Sequence, residues 1–157
     1  MSRAFSLALK QKIDETLARY PEKRAALLPV LHLVQNETGF ISAEDERTVA
    51  ALLDIKPIMV REVVTFYTMF NQKPPGRFHI RVCTNLSCSL AGGEKMVDYL
   101  KTRLGLQPGQ TTPDGKFTLT EVECLGGCDQ APCLMVNFDH FGNLDRDKIE
   151  RLLESLK

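Results

Sequence analysis

Two hydrophobic periods divide the chain near residue 72. Before that point, apolar residues recur every three or four positions, which is the spacing of amphipathic helices. The first such stripe consists of Phe5, Leu9, Ile13 and Leu17. Further along, Gly39 is suited to end a helix, Ser42 to cap the next one, and Pro57 to occupy the first turn of another. Residues 1–72 are therefore predicted to form a small helical bundle.

The period changes to two after a linker rich in proline and glycine. The predicted strands cover Phe78–Val82, Phe117–Glu123 and Cys133–Phe138, with a fourth strand after a turn at Gly142-Asn143. Helical spacing covers Ala91–Leu104, and Asp145 is predicted to cap a last helix. The order β-α-β-β-α predicts an α+β domain with a thioredoxin-like layer over residues 73–157.

Composition and charge restrict the classes of function. The 20 Lys+Arg balance the 20 Asp+Glu, so no basic surplus favours nucleic acid or an anionic membrane. No apolar stretch approaches the ~20 residues that span a bilayer, and the start lacks the apolar segment of a secretory signal. The expected location is the cytoplasm, or the cytoplasmic side of a membrane assembly, without direct membrane insertion. In that reducing compartment, clustered cysteines favour metal binding or catalysis over disulfides.

Four of the five cysteines form two pairs, Cys83-x4-Cys88 and Cys124-x3-Cys128. Each pair begins where a predicted strand ends, so neighbouring strands would bring four thiolates around one point. Four thiolates suit either a [2Fe–2S] cluster or structural zinc. The double glycine before Cys128 lets the backbone approach sulfur closely, and this loop composition favours the cluster. A zinc-stabilised interaction module without a redox role remains the alternative.

Several motifs resemble the thioredoxin-like [2Fe–2S] subunit of NADH dehydrogenases, the small iron–sulfur subunit of the NADH-oxidising module of complex I. Around the cysteines the similar segments are VCTNLSC (Val82–Cys88), VECLGGCDQAP (Val122–Pro132) and MVN (Met135–Asn137). Elsewhere they are ALLPVLHLVQNETGFIS (Ala26–Ser42), REVVTFYTMF (Arg61–Phe70) and TPDGKF (Thr112–Phe117). The resemblance therefore extends over nearly the whole chain.

The resemblance implies a ligand set, a role and partners. Cys83, Cys88, Cys124 and Cys128 correspond to the family's four ligands of one [2Fe–2S] cluster. The implied role is electron transfer in an NADH:quinone oxidoreductase, without a catalytic residue on this chain. The implied partners are a subunit that binds FMN and NADH and further iron–sulfur subunits. The corresponding subunit of an NAD-linked hydrogenase or formate dehydrogenase is the alternative. Since the chain has neither G-x-G-x-x-G after a strand nor a P-loop, it is not expected to bind NAD or FMN itself.

Cys133 departs from the family pattern, which usually has an apolar or small residue at this position. One interpretation is that Cys133 begins a buried strand and packs as a small hydrophobic side chain. The other is that its thiol lies close enough to the cluster to replace a lost ligand.

Overall fold

The computed structural model describes residues 5–156, which divide into two compact units. The first unit ends at Pro74 and the second begins at Pro75. Each unit has a hydrophobic core of its own.

The first unit is the predicted helical bundle. Its helices are α1 (Leu7–Leu17), α2 (Leu27–Thr38), α3 (Ala43–Leu53) and α4 (Pro57–Phe66), with a 3-10 turn at Lys23–Ala26. The predicted helix termini are confirmed: Gly39 ends α2 in the left-handed conformation (φ +81°) and Pro57 begins α4. Ser42 and Asp45 form a reciprocal capping box at the start of α3, each side chain bonding the other's backbone N–H.

Apolar stripes from all four helices meet in the core of this unit. The fully buried large side chains of the bundle include Ile13, Leu31, Val49 and Val60. Burying each such side chain contributes roughly 1.5–3 kcal/mol relative to its exposure to water. The apolar stripes identified in the sequence therefore form the hydrophobic core of this unit.

The second unit combines a four-stranded sheet with three α-helices and a 3-10 turn at Cys128–Gln130. The strands are β1 (Phe78–Cys83), β2 (Phe117–Val122), β3 (Leu134–Val136) and β4 (Asp139–Phe141), and the helices are α5 (Leu86–Leu90), α6 (Gly93–Leu104) and α7 (Arg146–Ser155). The strand order is β2-β1-β3-β4, with β1 parallel to β2 and the other pairs antiparallel. The α+β class predicted from the element order is confirmed.

One hydrophobic cluster joins the sheet to α6 and α7. Ile80 of β1 lies opposite Leu119 of β2 and Val136 of β3, so these three side chains share a face of the sheet. They belong to the same buried cluster as Leu100 of α6 and Ile149 of α7. This packing holds the ends of β1 and β2 side by side.

Two predicted features of the second unit are wrong in detail. The helix predicted over Ala91–Leu104 begins two residues later, because Gly92 adopts a left-handed conformation (φ +98°) that separates α5 from α6. The hairpin turn lies before Asp139 and not at Gly142-Asn143. It uses Asn137 (φ +54°), since asparagine tolerates the left-handed region better than most residues. Among residues 5–156, no helix combines the length and apolarity needed to cross a bilayer.

His79 is a buried titratable group on β1. Its side chain is 7% exposed, and its Nε2 lies 2.8 Å from the Thr120 Oγ1 on the neighbouring strand. Burial, reinforced by the positive charge of Arg81, lowers the pKa of His79 to about 4. The folded protein therefore favours the neutral imidazole.

Stability is expected to fall as His79 is forced to take up a proton. Because its folded pKa lies below the unfolded value of ~6.5, the neutral ring stabilises the fold above that pH, and the contribution is lost as the pH falls toward 4. Between about pH 7 and pH 5 the loss is roughly 2 kcal/mol. Urea unfolding at both pH values measures it. His79→Gln, which has no titrating ring, should lose this part of the pH dependence; an unchanged dependence would contradict the assignment.

Candidate metal centre

Both cysteine loops leave the same edge of the sheet. Strands β1 and β2 run parallel, and Cys83, the last residue of β1, lies opposite Val122, the last residue of β2. Cys124 follows two residues later. The two cysteine-bearing strands are therefore neighbours, which is the condition under which the sequence brings the two cysteine pairs together.

Three thiols are buried together at this edge. Cys83, Cys88 and Cys133 are each 1% exposed, and their Sγ atoms all lie within 4.8 Å of one another. The Sγ atoms of Cys88 and Cys133 are 3.6 Å apart. The Cys83 N–H donates to the Cys133 carbonyl oxygen at 3.2 Å, which extends the pairing of β1 and β3 to the residue before β3 begins. Cys133 thus belongs to the thiol group by backbone as well as by side chain.

The other two predicted ligands form an exposed pair. The Sγ atoms of Cys124 and Cys128 lie 3.4 Å apart, and both residues are exposed. In a tetrahedral thiolate site with metal–sulfur bonds of ~2.3 Å, two sulfurs on one metal are ~3.8 Å apart. The spacing of this pair, like that of Cys88 and Cys133, is therefore close to that of two ligands on one metal.

Backbone N–H groups near the thiols favour their ionised form. Besides that of Asn85, the N–H of Leu125, in the loop between Cys124 and Cys128, lowers the pKa of Cys83. The Gly126 N–H donates to Cys124 Sγ at 3.3 Å. Donors aimed at sulfur stabilise thiolates and the negative charge of a metal–thiolate centre.

The buried thiols differ in acidity. Burial opposes ionisation of Cys83, but hydrogen bonds, led by that of the Asn85 backbone, hold its pKa below the ordinary value. Burial and the neighbouring Cys83 raise the pKa of Cys88. Burial, followed by interaction with Cys88, raises the pKa of Cys133 to about 12. Without a metal, Cys83 is thus the buried thiol best prepared to bind as a thiolate, and Cys133 is protonated.

Two glycines let the cysteine segments pack closely. A Cβ on Gly93, at the start of α6, would lie 2.8 Å from the Cys88 carbonyl oxygen and 2.9 Å from that of Cys83. A Cβ on Gly127 would lie 2.5 Å from the ring of His140. Of the double glycine, only Gly126 adopts positive φ (+82°), whereas Gly127 has φ −104°. The lack of space for a Cβ beside the His140 ring, more than the backbone conformation, therefore explains the glycine at position 127.

The donor set fits an iron–sulfur cluster held by thiolates. It comprises five thiols at one edge of the sheet, two of them on a loop whose N–H groups point at sulfur. The sequence identified four of them and left open whether Cys133 is only a small buried side chain or also lies near the cluster; the structure places its thiol in the buried group. The sequence did not place His140 beside Gly127. His140 gave no signal, because its position depends on the β3–β4 turn.

Fold and site together define a class of protein: a thioredoxin-like α+β domain with a group of cysteine thiols, suited to a metal centre, at one edge of its sheet. Residues 13–157 match the family described as thioredoxin-like [2Fe-2S] ferredoxin. The chain belongs to this family, which confirms the resemblance read from its motifs and the thioredoxin-like fold.

Named relatives and a solved structure agree with this placement. The chain is 43% identical over 151 residues to an NADH-quinone oxidoreductase subunit of Rhizobium meliloti, covering 96% of this chain and 90% of that protein. It is 42% identical over 148 residues to an NADH-quinone oxidoreductase subunit of Thermus thermophilus, covering 92% and 82%. A crystal structure of an NAD+-reducing [NiFe]-hydrogenase in the air-oxidised state matches with a TM-score of 0.71 and 27% identity, covering 83% of this chain and 22% of that chain.

Proposed function

We propose that this chain is the electron-transfer subunit of an NADH:quinone oxidoreductase. In this proposal Cys83, Cys88, Cys124 and Cys128 hold one [2Fe–2S] cluster, two cysteines to each iron. The cluster supplies one-electron chemistry beside the FMN of a partner subunit that binds NADH. The chain itself binds neither FMN nor NAD, and further iron–sulfur subunits receive the electrons.

The observation that carries the proposal is the meeting of two cysteine loops at the parallel ends of β1 and β2. One side of the thiol group is buried in the unit and the other, at Cys124 and Cys128, is exposed. A cluster held there would be anchored on one side and open to a partner's redox group on the other. The curated relatives at 42–43% identity support the choice of parent complex.

The exposed side also has an apolar border. Leu86 and Leu90 lie one turn apart on α5, on either side of Cys88 in sequence, and are 71% and 82% exposed. Exposed apolar side chains grouped beside a functional site are typical of interaction surfaces. We assign this face of α5 to contact with the NADH-binding partner.

A second candidate has a specific observation in its favour. The structural match to an NAD+-reducing hydrogenase supports an equivalent role in such an enzyme. The cluster and its ligands would be the same, but electrons would pass toward NAD+ and not away from NADH. Subunits that co-purify from the native source distinguish the two candidates.

Location is part of the same proposal. The five cysteines are free thiols. A reducing compartment preserves such thiols for metal binding. We therefore place the chain in the cytoplasm, within a peripheral arm on the cytoplasmic side of the membrane in the complex I case.

Metal analysis of anaerobically purified protein tests the cluster. The expected result is coloured protein with about two irons and two sulfides per chain and the absorption of an all-thiolate [2Fe–2S] centre. Cys124→Ala is the matched control and should be colourless with little iron. Colourless wild-type protein that contains zinc and no iron would overturn the proposal in favour of the zinc-stabilised interaction module.

A further inference from the structure

We propose that Cys133 is a reserve ligand that binds iron when the thiolate of Cys88 is not available. The inference rests on the [2Fe–2S] cluster proposed above and concerns which thiols can hold it. It replaces the view of Cys133 as only a small buried hydrophobic side chain.

The position of the Cys133 sulfur carries this inference. It lies 3.6 Å from the Cys88 sulfur, close to the ~3.8 Å between two thiolates on one tetrahedral metal. It also faces the other cysteine loop, since a Cβ built on Gly127 would lie 3.6 Å from it. A centre held between the two loops would therefore be within reach of Cys133 without a large movement of the backbone.

The backbone already holds Cys133 where the replacement requires it. Its carbonyl oxygen accepts the N–H of Cys83, and the Leu144 N–H donates to the preceding Pro132 carbonyl oxygen at 3.1 Å. Its sulfur lies only 3.6 Å from the position that the Cys88 sulfur leaves. The exchange forms an iron–sulfur bond to Cys133 and releases its thiol proton to solvent, and no electron is transferred.

The replacement is specific to the buried side of the site. Cys133 lies in the buried group with Cys83 and Cys88, whereas Cys124 pairs with Cys128 on the exposed side. If Cys124 is removed, the vacant ligand position faces solvent. Cys133, buried and fixed by Cys83, is not placed to fill it. Loss of Cys88 and loss of Cys124 should thus have different consequences, although both are proposed ligands.

Reconstitution of four full-length variants with iron and sulfide under anaerobic conditions tests the inference. The variants are Cys88→Ala, Cys124→Ala, Cys133→Ala and the double variant Cys88→Ala/Cys133→Ala. Alanine is used because a serine oxygen can itself bind iron. The measurements are iron and sulfide content, visible absorption, the electron paramagnetic resonance spectrum after reduction, and circular dichroism as a check of folding.

Cys133→Ala is expected to keep the wild-type cluster content, because four ligands remain. Cys88→Ala is expected to keep at least about half, with an altered resonance spectrum, because one ligand has changed. The double variant and Cys124→Ala should hold about tenfold less. Removing Cys133 should therefore lower the cluster content only in a protein that already lacks Cys88.

Two results would overturn the inference without affecting the proposed function. One is a cluster content of Cys88→Ala as low as that of Cys124→Ala. The other is a cluster content of the double variant as high as that of Cys88→Ala. Wild-type protein that holds no cluster would instead overturn the proposed function, and the inference with it. If Cys88→Ala does not fold, Cys88→Ser serves in its place. Retention through Cys133 then keeps all-thiolate absorption, which ligation by the serine oxygen would not give.

Discussion

Replacing Gly93 with alanine is expected to destabilise the second unit by about 1–3 kcal/mol and to lower the iron content of the purified protein. The added Cβ would meet the carbonyl oxygens of Cys88 and Cys83 at 2.8 and 2.9 Å, and neither backbone atom can move without shifting a cysteine. Gly93 does not adopt positive φ, so the cost is purely steric. Urea unfolding and iron analysis of the same preparation measure both effects.

Gly127→Ala is the matched comparison for this prediction. Its Cβ would also lie too close to another group, at 2.5 Å from the His140 ring. That ring is an exposed side chain that can rotate away, so the loss of stability should be smaller than for Gly93→Ala. Equal losses, or a Gly93→Ala protein with wild-type stability and iron, would contradict the steric argument.

Changing Leu86 and Leu90 to glutamate is expected to weaken binding to the NADH-binding partner by about tenfold or more. Both side chains are exposed on one face of α5, and carboxylates there would have to be desolvated when the partner covers them. Since neither leucine is a ligand, the iron content should stay at the wild-type value. Co-purification and titration of the two subunits measure the loss.

Leu7→Glu provides the control for this surface. Leu7 is 85% exposed and lies at the start of α1 in the first unit, which contains no cysteine, so it carries the same change of chemistry on a different unit. Binding should be unaffected by this variant. Partner affinity that is unchanged in Leu86→Glu/Leu90→Glu, or lowered equally by Leu7→Glu, would refute the assignment of the α5 face.

Most helices were predictable because their signals are local. An apolar side chain every third or fourth residue defines the face that packs, and residues such as Ser42, Gly39 and Pro57 act on backbone groups within one turn of themselves. The short helix α5 was not predicted, since the helix predicted from the sequence begins at Ala91, after α5 ends. The left-handed conformation of Gly92 separates the two helices.

The β3–β4 hairpin shows where local signals were ambiguous. Both Asn137 and the pair Gly142-Asn143 are acceptable turn residues by their chemistry. Pairing of β3 with β1 decides between them, because the Asn137 N–H donates to the His79 carbonyl oxygen and the Asn137 Oδ1 accepts the His79 N–H, which holds Asn137 at the turn. The position of His140 against Gly127 follows from that turn and was therefore not predictable either.

For the metal centre, spacing alone indicated that Cys83 and Cys88 form one pair and Cys124 and Cys128 another, since residues four or five apart in sequence lie close together. Motif similarity determined the family. Only the tertiary structure decided that the first pair is buried, that the second is exposed and that Cys133 joins the buried group. The physical reason is that burial and cross-strand distances depend on which strands pair and in which register. That is settled by packing of the whole second unit, not by any short segment of the chain.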